Sequence, residues 1–218
     1  MSEKVLVIGA HGKVGRIIVQ QLGEAGKQVF AGFRTEDQFG GVTGQKNVTP
    51  ILFNLQMLKE EMVKIFKKNN FDAIIFSAGA GGASDALTTQ IDLDGAIKTM
   101  DAAEEAGIKR YLMVSAAGAD IRDVWVGSGI YTYFMMKHYA DRILKDSDLD
   151  YTIVRPSTLS DEAGKGTVKN NFVFGQDASS ISREDVATFV TTALDAKTAY
   201  RKIYAITAGD EPIQEIFN

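Results

Sequence analysis

A short apolar run, Val5-Leu6-Val7-Ile8, ends in a glycine near the start of the chain, and two further glycines follow at three-residue spacing. In a turn between a strand and a helix, Gly9 would permit the tight bend, Gly12 would let backbone approach a phosphate, and Gly15 would let the helix pack close to the strand. The amphipathic stretch at 16–25 predicts that helix, whose unpaired N-terminal N–H groups and dipole attract phosphate. The pattern therefore predicts a strand–turn–helix unit that binds a dinucleotide, and an ordinary turn without a ligand is the alternative.

Strand-like and helix-like patterns alternate along the chain, which is typical of a parallel sheet covered by helices on both faces. The segments at 5–8 and 73–76 are entirely apolar, as expected of strands whose two faces are buried. Seven strands are predicted, at Lys4–Ile8, Gln28–Phe33, Val48–Phe53, Ala73–Phe76, Arg110–Val114, Tyr151–Val154 and Ile203–Ile206. Five helices are predicted, at Lys13–Ala25, Leu55–Lys68, Thr88–Ala106, Ile130–Lys145 and Arg183–Leu194. The expected architecture is α/β, a Rossmann-type doubly wound sheet of about seven strands in the order 3-2-1-4-5-6-7, within a single domain over residues 1–218.

The composition limits the classes of function. The 218 residues, of which 45% are hydrophobic and 24% charged, suffice for one domain with a sizeable core. The net charge of −4 does not favour a nucleic-acid partner. Cysteine is absent and only two histidines occur, which excludes disulfides, a thiolate nucleophile and a histidine-rich metal site, so no metal is expected. The polar N-terminus and the lack of an apolar run near ~20 residues predict a cytoplasmic protein with no signal peptide and no membrane contact.

The stretch that follows the fourth predicted strand, Ser77-Ala78-Gly79-Ala80-Gly81-Gly82, is a second glycine cluster. Because the carboxyl ends of parallel strands meet at one edge of a sheet, this cluster would lie beside the first glycines. We expect it to bring backbone close to the adenosine half of a dinucleotide, and a flexible loop without a ligand is the alternative. Two stretches without periodicity, residues 116–129 and 157–182, fall at the same edge, where they would form the substrate side of the site.

The residue after the second predicted strand bears on the choice of cofactor. NAD-selective sites have an acidic residue there, which accepts a hydrogen bond from the ribose 2′-hydroxyl. This chain has Arg34, whereas Glu36 and Asp37 come further along. Since a guanidinium suits a 2′-phosphate through charge-assisted hydrogen bonds, we predict a preference for NADP(H), with NAD(H) as a possible substitute. A solvated loop charge is the alternative interpretation of the arginine.

Tyr133 and Lys137 are four residues apart within a predicted helix, so they share one face of it. A nearby ammonium favours the phenolate and would lower the tyrosine pKa from about 10 toward the range of a useful proton donor or acceptor. Ser115, at the end of the fifth predicted strand, would lie at the same edge, where its hydroxyl could bond a substrate carbonyl. A surface helix with the tyrosine inward and the lysine solvated is the alternative. His138 lies off this face and is expected to be structural.

These features occur in a fixed order along the chain. After the glycines, Arg34, Ser115 and the Tyr133-x-x-x-Lys137 pair, the chain has Val154-Arg155-Pro156 behind the sixth predicted strand and Ser182–Ala187 at the start of a late helix. In this ordered set the chain resembles the atypical short-chain dehydrogenases/reductases of the NmrA-like branch, near the flavin- and biliverdin-reductase-like members. The resemblance extends over essentially the whole chain.

The resemblance implies a Rossmann fold and hydride transfer to or from C4 of a nicotinamide. It implies that Tyr133 protonates the substrate oxygen and that Lys137 holds the nicotinamide ribose and lowers the tyrosine pKa. Ser115 would orient the substrate carbonyl, and Pro156 would border the nicotinamide.

The chain also departs from the family pattern. It has Asn54 where an aspartate is frequent, and Asp92 where extended members often have an asparagine, which puts a complete proton relay in doubt. The substrate portion of the chain is short, which disfavours a nucleotide-sugar substrate. Arg183 and Asp185 in the first turn of the late helix are expected to serve as a cap and a packing bridge rather than in function.

The expected function is an NAD(P)H-dependent oxidoreductase that transfers hydride to a small carbonyl, quinone or flavin-like acceptor. A non-catalytic NADP(H)-binding sensor of the NmrA type is the alternative. The apolar residues Trp125, Phe134 and Met135 near the predicted site favour that class of acceptor. The partner would be a small-molecule substrate, and the protein is expected to be a monomer or a homodimer. The residues expected to contact the dinucleotide are Gly9, His11, Gly12, Lys13, Val14, Gly15, Arg34, Asn54, Leu55, Ser77, Ala78, Gly79, Ser115, Lys137 and Pro156.

Overall fold

The computed structural model describes residues 3–178 and 180–218 of the chain. The strands are β1 (Lys4–Ile8), β2 (Gln28–Phe33), β3 (Val48–Leu52), β4 (Ala73–Phe76), β5 (Arg110–Val114), β6 (Asp150–Pro156), β7 (Thr158–Ser160), β8 (Thr167–Asn170), β9 (Ser180–Ser182), β10 (Lys202–Ala208) and β11 (Glu211–Pro212). The helices are α1 (Lys13–Glu24), α2 (Lys59–Asn69), α3 (Asp85–Thr88), α4 (Ala96–Ala106), α5 (Arg122–Gly127), α6 (Tyr131–Asp146) and α7 (Arg183–Asp195). A π-helical segment, Thr89–Gly95, joins α3 to α4 without a break.

The main sheet has the order β3-β2-β1-β4-β5-β6-β10-β8-β11 within the described residues. The first seven of these strands are parallel to their neighbours, which confirms the predicted fold class and strand order. Two antiparallel strands, β8 and β11, extend the edge beyond β10, and β7 pairs with β9 in a separate two-stranded sheet. Most of these extra strands lie within residues 157–182, which the sequence suggested to be loop. They are only two to four residues long, too short to give a hydrophobic period.

The second predicted helix begins later in the structure than the sequence predicted. α2 begins at Lys59 rather than at Leu55, because Asn54 starts a separate turn in which its Oδ1 accepts from the amide of Gln56 at 2.9 Å. The helix proper begins where Glu61 Oε2 accepts from the amide of Leu58 at 3.0 Å, as in a capping box. Residues 54 and 55 therefore belong to the loop at the carboxyl edge of the sheet.

Helices cover both faces of the sheet. On one face α1 and α7 pack together over an apolar cluster that includes Ile18 and Phe189. On the other face α2, α4 and α6 cover a cluster that includes Phe66 and Met100. The buried strands and the close packing of these layers fix the carboxyl ends of the parallel strands along one edge, where the loops that follow β1, β2, β4 and β5 come together.

Candidate active site

The glycine turn between β1 and α1 is sterically defined. Gly9 has a φ of +87°, and a Cβ added there would lie 2.7 Å from the amide nitrogen and Cα of Ala78. A Cβ at Gly15 would lie 2.2 Å from the carbonyl oxygen of Gly9, so the helix packs against the turn as closely as the sequence predicts. Gly12 is less crowded, because a Cβ added there would lie 3.2 Å from the same oxygen. It is the N-cap residue of α1 and has extended backbone. The first α1 amides therefore face the space above this turn.

Two cavities open above the turn, one of about 910 Å³ and one of about 280 Å³. Both are lined by Gly12 and by Ser77-Ala78-Gly79 of the second glycine cluster. They are thus the two ends of one cleft that runs along the carboxyl edge of the sheet and crosses the glycine turn, the place where an extended dinucleotide binds in this kind of fold. Of the predicted site residues, all except Gly15 line one cavity or both, and Gly15 lies beneath the turn.

The smaller cavity is formed by the loops after β2 and β3. Arg34 is exposed at the end of β2 and lines this cavity together with Asn54, Leu55 and His11. The two acidic residues beyond Arg34 lie in the 3₁₀ segment Glu36–Val42 and are not part of the lining. Arg34 is therefore the permanently charged residue in the lining of this cavity.

The larger cavity brings together the three predicted catalytic residues. Tyr133 and Lys137 lie one turn apart on α6, with Nζ 5.7 Å from the centre of the phenol ring. Ser115 follows β5, and its amide donates to the carbonyl of Val154 at 2.7 Å. Its Oγ is buried and forms no hydrogen bond of good geometry within the described residues, although it lies close enough to Asp141 to lower the pKa of that carboxyl. A buried hydroxyl of this kind, facing a cavity, is suited to a polar atom of a ligand.

Lys137 forms an ion pair that the sequence did not reveal. Its Nζ lies 3.0 Å from Oδ1 of Asp92, and the two side chains are only 4% and 0% exposed. The sequence marked Asp92 only as a departure from a family pattern. A fully buried carboxylate requires a partner, but the residue that supplies it lies 45 positions further along the chain, so only the tertiary fold could identify it.

The protonation of Tyr133 differs from the expectation. Burial raises the pKa of the phenol, and the ammonium of Lys137 lowers that pKa only in part, while Asp92 and Asp141 add to the rise. Burial would by itself lower the pKa of Lys137, but the carboxylate of Asp92 in particular raises it above the ordinary value. The predicted lowering of the tyrosine pKa is therefore wrong for this structure, mainly because the phenol is buried and in addition because two carboxylates oppose the effect of the lysine charge.

A second buried ion pair lies one turn further along α6. Asp141 Oδ2 accepts from Nε of Arg155 at 2.8 Å, and Asp120 Oδ2 accepts from Nη1 of the same guanidinium at 2.5 Å. Burial raises the pKa of Asp141, and Arg155 opposes that rise. The arginine of the Val154-Arg155-Pro156 motif thus fastens β6 to α6, while Pro156 lines the larger cavity.

The start of α7 is structural, as predicted, with one exception. Ser182 Oγ accepts from the amide of Asp185 at 2.9 Å, and the Asp185 carboxylate accepts from the amides of Lys165 and Gly166. Arg183, in contrast, lines the larger cavity. It donates to Asp161 at 2.7 Å, so an ion pair lies beside the cleft.

Of the three apolar residues predicted to lie near the site, one lines the larger cavity and the other two pack with it. Phe134 lines the cavity, but Trp125 and Met135 do not. Trp125 is fully buried behind the wall, where Nε1 donates to the carbonyl of Gly118 at 2.9 Å. The wall is completed by Phe172 and Phe174, whose ring centres lie 4.6 Å apart. These two phenylalanines come from an aperiodic stretch, which gave no sequence signal.

The cleft can now be compared with known proteins. The family described as NAD(P)H-binding matches residues 9–197 of the chain. The chain belongs to this NAD(P)H-binding family. It is 40% identical, over 97% of both chains, to YhfK of Bacillus subtilis, which is named an uncharacterized sugar epimerase. It is 37% identical to the UPF0659 protein YMR090W of Saccharomyces cerevisiae, over 97% of this chain and 96% of that protein.

Solved structures agree with the family assignment. A Bacillus halodurans protein, provisionally named an NAD-dependent epimerase/dehydratase, matches with a TM-score of 0.90 and 36% identity over 99% of both chains. The oxidoreductase ylbE of Lactococcus lactis matches with a TM-score of 0.87 and 31% identity over 98% of this chain and 94% of that one. The predicted resemblance to NAD(P)-binding proteins is confirmed by the family match, and one of these structural neighbours is named an oxidoreductase. In the described part of this NAD(P)H-binding protein, no helix combines the length and hydropathy needed to cross a membrane.

Proposed function

We propose that the protein is an NADP(H)-preferring reductase that delivers hydride to a small carbonyl, quinone or flavin-like acceptor. The observation that supports this most is the convergence of Ser115, Tyr133 and Lys137 on one cavity, which continues into the cleft above the glycine turn. A protein that binds a nucleotide but catalyses no reaction needs no buried hydroxyl, phenol and ammonium around the nicotinamide end of that cleft.

In this proposal the residues of the cleft would make the contacts that a dinucleotide requires. The first amides of α1, including that of Val14, would hold the pyrophosphate, and Arg34 would bind a 2′-phosphate. Lys137 would hold the nicotinamide ribose, and Pro156 would border the ring. When bound, the reduced nicotinamide supplies a hydride to the acceptor.

The protein's own residues would supply the proton and the orientation. Because burial raises the pKa of Tyr133, the phenol keeps its proton at neutral pH and would donate it to the acceptor oxygen. The Oγ of Ser115, which forms no hydrogen bond of good geometry with a described residue, would donate a hydrogen bond to the same oxygen. The aromatic wall formed by Phe134, Phe172 and Phe174 would exclude water and favour a planar, apolar acceptor.

The cofactor preference is tested by titration of the protein with NADPH and NADH, with binding followed by nucleotide fluorescence. Arg34→Ala should weaken NADPH binding by about tenfold or more, because a charge-assisted contact to phosphate is lost, and should leave NADH binding unchanged. Lys46→Ala, which removes an exposed positive charge away from the cleft, is the matched control. An unchanged NADPH-to-NADH ratio in Arg34→Ala would contradict the assignment.

A non-catalytic NADP(H) sensor is the second candidate, and the Asp92–Lys137 pair favours it, since a lysine already neutralised assists a tyrosine less. The two are separated by following NADPH oxidation with quinones, aldehydes and free flavin. Oxidation with one class of acceptor supports the reductase, and tight NADPH binding without oxidation across the set supports the sensor. A nucleotide-sugar is included because of the epimerase name of one relative, and its turnover without net NADPH oxidation would overturn the reductase proposal.

A further inference from the structure

We propose that Asp92 is a positioning residue that ties Lys137 to the second glycine cluster, so that the nicotinamide side and the adenosine side of the cleft are held in register. This inference rests on the proposed function, because the two sides are defined by the dinucleotide. Its structural part concerns two contacts of one buried carboxylate, one made by each oxygen.

The first contact is the ion pair with Lys137. Oδ1 of Asp92 lies 3.0 Å from Nζ, while the carbonyl of Val114 accepts from the same Nζ at a longer 3.4 Å. The aspartate is therefore the closest group that fixes the direction of the ammonium. A long, flexible lysine side chain gains a defined position from such a partner only where both are buried, as they are here.

The second contact reaches the glycine cluster. Oδ2 of Asp92 accepts from the amide of Ala80 at 2.9 Å, and Ala80 lines the smaller cavity. A Cβ added at Gly79 would lie 3.1 Å from Oδ1 of the same carboxylate, so the loop lies directly against it. Ala78, one residue earlier, is the residue whose backbone limits the space at Gly9. A shift of Asp92 would thus be transmitted to the floor of both cavities.

The helix that carries Asp92 is locally altered at this point. Asp92 lies within the π-helical segment Thr89–Gly95, where an extra residue per turn changes the direction of the side chains. Such segments cost stability and occur frequently at functional sites. The irregular turn and the buried charge are both unfavourable in a purely structural helix, which supports a role for this residue in positioning.

The charges that surround Lys137 define what a substitution would do. From its own helix it is faced by Tyr133 and Asp141, and from the π-helical segment by Asp92. Arg155 of β6 neutralises Asp141 from the other side. Asp92→Asn would keep an oxygen for the amide of Ala80 but remove the charge opposite Lys137. Asp92→Ala would remove both contacts.

The experiment compares Asp92→Asn and Asp92→Ala with Asp94→Asn, which neutralises an exposed aspartate on the same segment that pairs with Lys98. The probes are NADPH and adenosine 2′,5′-bisphosphate, which occupies the adenosine side alone. Asp92→Asn should weaken NADPH binding by about tenfold and leave the affinity for the bisphosphate unchanged, because only the contact with Lys137 is lost. Asp92→Ala should weaken both, and Asp94→Asn neither.

Two further readouts separate positioning from general destabilisation. In the ligand-free protein, amides of residues 77–82 should exchange hydrogen about tenfold faster or more in Asp92→Ala than in Asp92→Asn, since only the alanine loses the acceptor for Ala80. The alkaline limb of the pH profile for NADPH oxidation should move down by about one pH unit or more in Asp92→Asn, because Lys137 and Tyr133 lose the nearby negative charge. If Asp92→Ala does not fold, Asp92→Ala combined with Lys137→Met removes both charges and should still show the fast exchange.

Equal exchange at residues 77–82 in the asparagine and alanine variants would overturn the inference, whether or not a dinucleotide binds. The inference would also be overturned if Asp92→Asn and Asp92→Ala both bound NADPH and the bisphosphate as tightly as Asp94→Asn does. Failure of the proposed function has a different signature, since the wild-type protein would then bind neither probe while the exchange difference persists.

Discussion

Gly9→Ala is the substitution that most directly probes the turn at the centre of the cleft. At a φ of +87°, a residue with a side chain pays roughly 1–2 kcal/mol for the left-handed conformation. The new Cβ would also lie 2.7 Å from the backbone of Ala78, and overpacking of this kind costs about 1–3 kcal/mol. Gly26→Ala is a close control, because Gly26 has a φ of +86° with no atom within 4 Å of the added Cβ.

Both glycines have nearly the same positive φ, so the cost of placing an alanine in the left-handed conformation is the same in the two variants. The loss of conformational freedom in the unfolded chain is also the same, and both effects cancel when the two variants are compared. Gly9→Ala should therefore lower the free energy of unfolding by about 1–3 kcal/mol more than Gly26→Ala does, as measured by urea denaturation. Since Ala78 lines both cavities, Gly9→Ala should also weaken NADPH binding by about tenfold or more, while Gly26→Ala binds normally. Equal losses of stability and equal NADPH affinities in the two variants would refute the steric reasoning.

Three further predictions concern single side chains. Ser115→Ala should lower kcat for a carbonyl acceptor by about tenfold or more, through a lost hydrogen bond, and should cost about 1 kcal/mol or less in urea stability, because its Oγ makes only a weak contact with Asp141. A larger loss of stability would show that the hydroxyl is structural. Burial lowers the pKa of His138, so the stability that its neutral form contributes is present above its unfolded pKa and is lost as the pH falls. The decrease in the free energy of unfolding from about pH 7 to about pH 5 should therefore be smaller in His138→Gln, whose side chain can still donate to the carbonyl of Ala119. An equal decrease in the variant and the wild-type protein would contradict this. Asp141→Ala should reduce the free energy of unfolding by about 1–3 kcal/mol, because the buried guanidinium of Arg155 then keeps only the half-exposed Asp120 as a partner, and a loss below about 0.5 kcal/mol by urea denaturation would argue against the Asp141–Arg155 pair.

The sequence predicted the part of the fold that depends on long apolar strands. β1, β2, β4 and β5 have the predicted bounds, because their runs are buried on both faces and end at clear turn residues. The six-residue helix α5 and the short strands β7, β8 and β9 were missed. Elements of this length contain too few residues to show a period and are held in place by tertiary contacts.

The candidate site was predictable where a motif reflects local geometry. The glycines and the Tyr133–Lys137 spacing depend on one turn or one helix face, and these residues come together in the structure. No local pattern reveals the Asp92–Lys137 pair or the wall at Phe172 and Phe174, because both depend on segments that are far apart in the chain. The pKa of the tyrosine was predicted in the wrong direction mainly because the burial of the phenol depends on the tertiary fold, and in addition because the lysine was counted without its carboxylate.

The most direct test of the reductase proposal is the rate of NADPH oxidation by Tyr133→Phe, with the best acceptor found for the wild-type protein. The control is Tyr131→Phe, which removes a phenol hydroxyl from an exposed residue on the same helix. Tyr133→Phe should bind NADPH normally but lose about 100-fold or more in kcat, the usual contribution of a general acid, while Tyr131→Phe should be unaffected. A Tyr133→Phe variant that oxidises NADPH as fast as the wild-type protein would contradict the central claim.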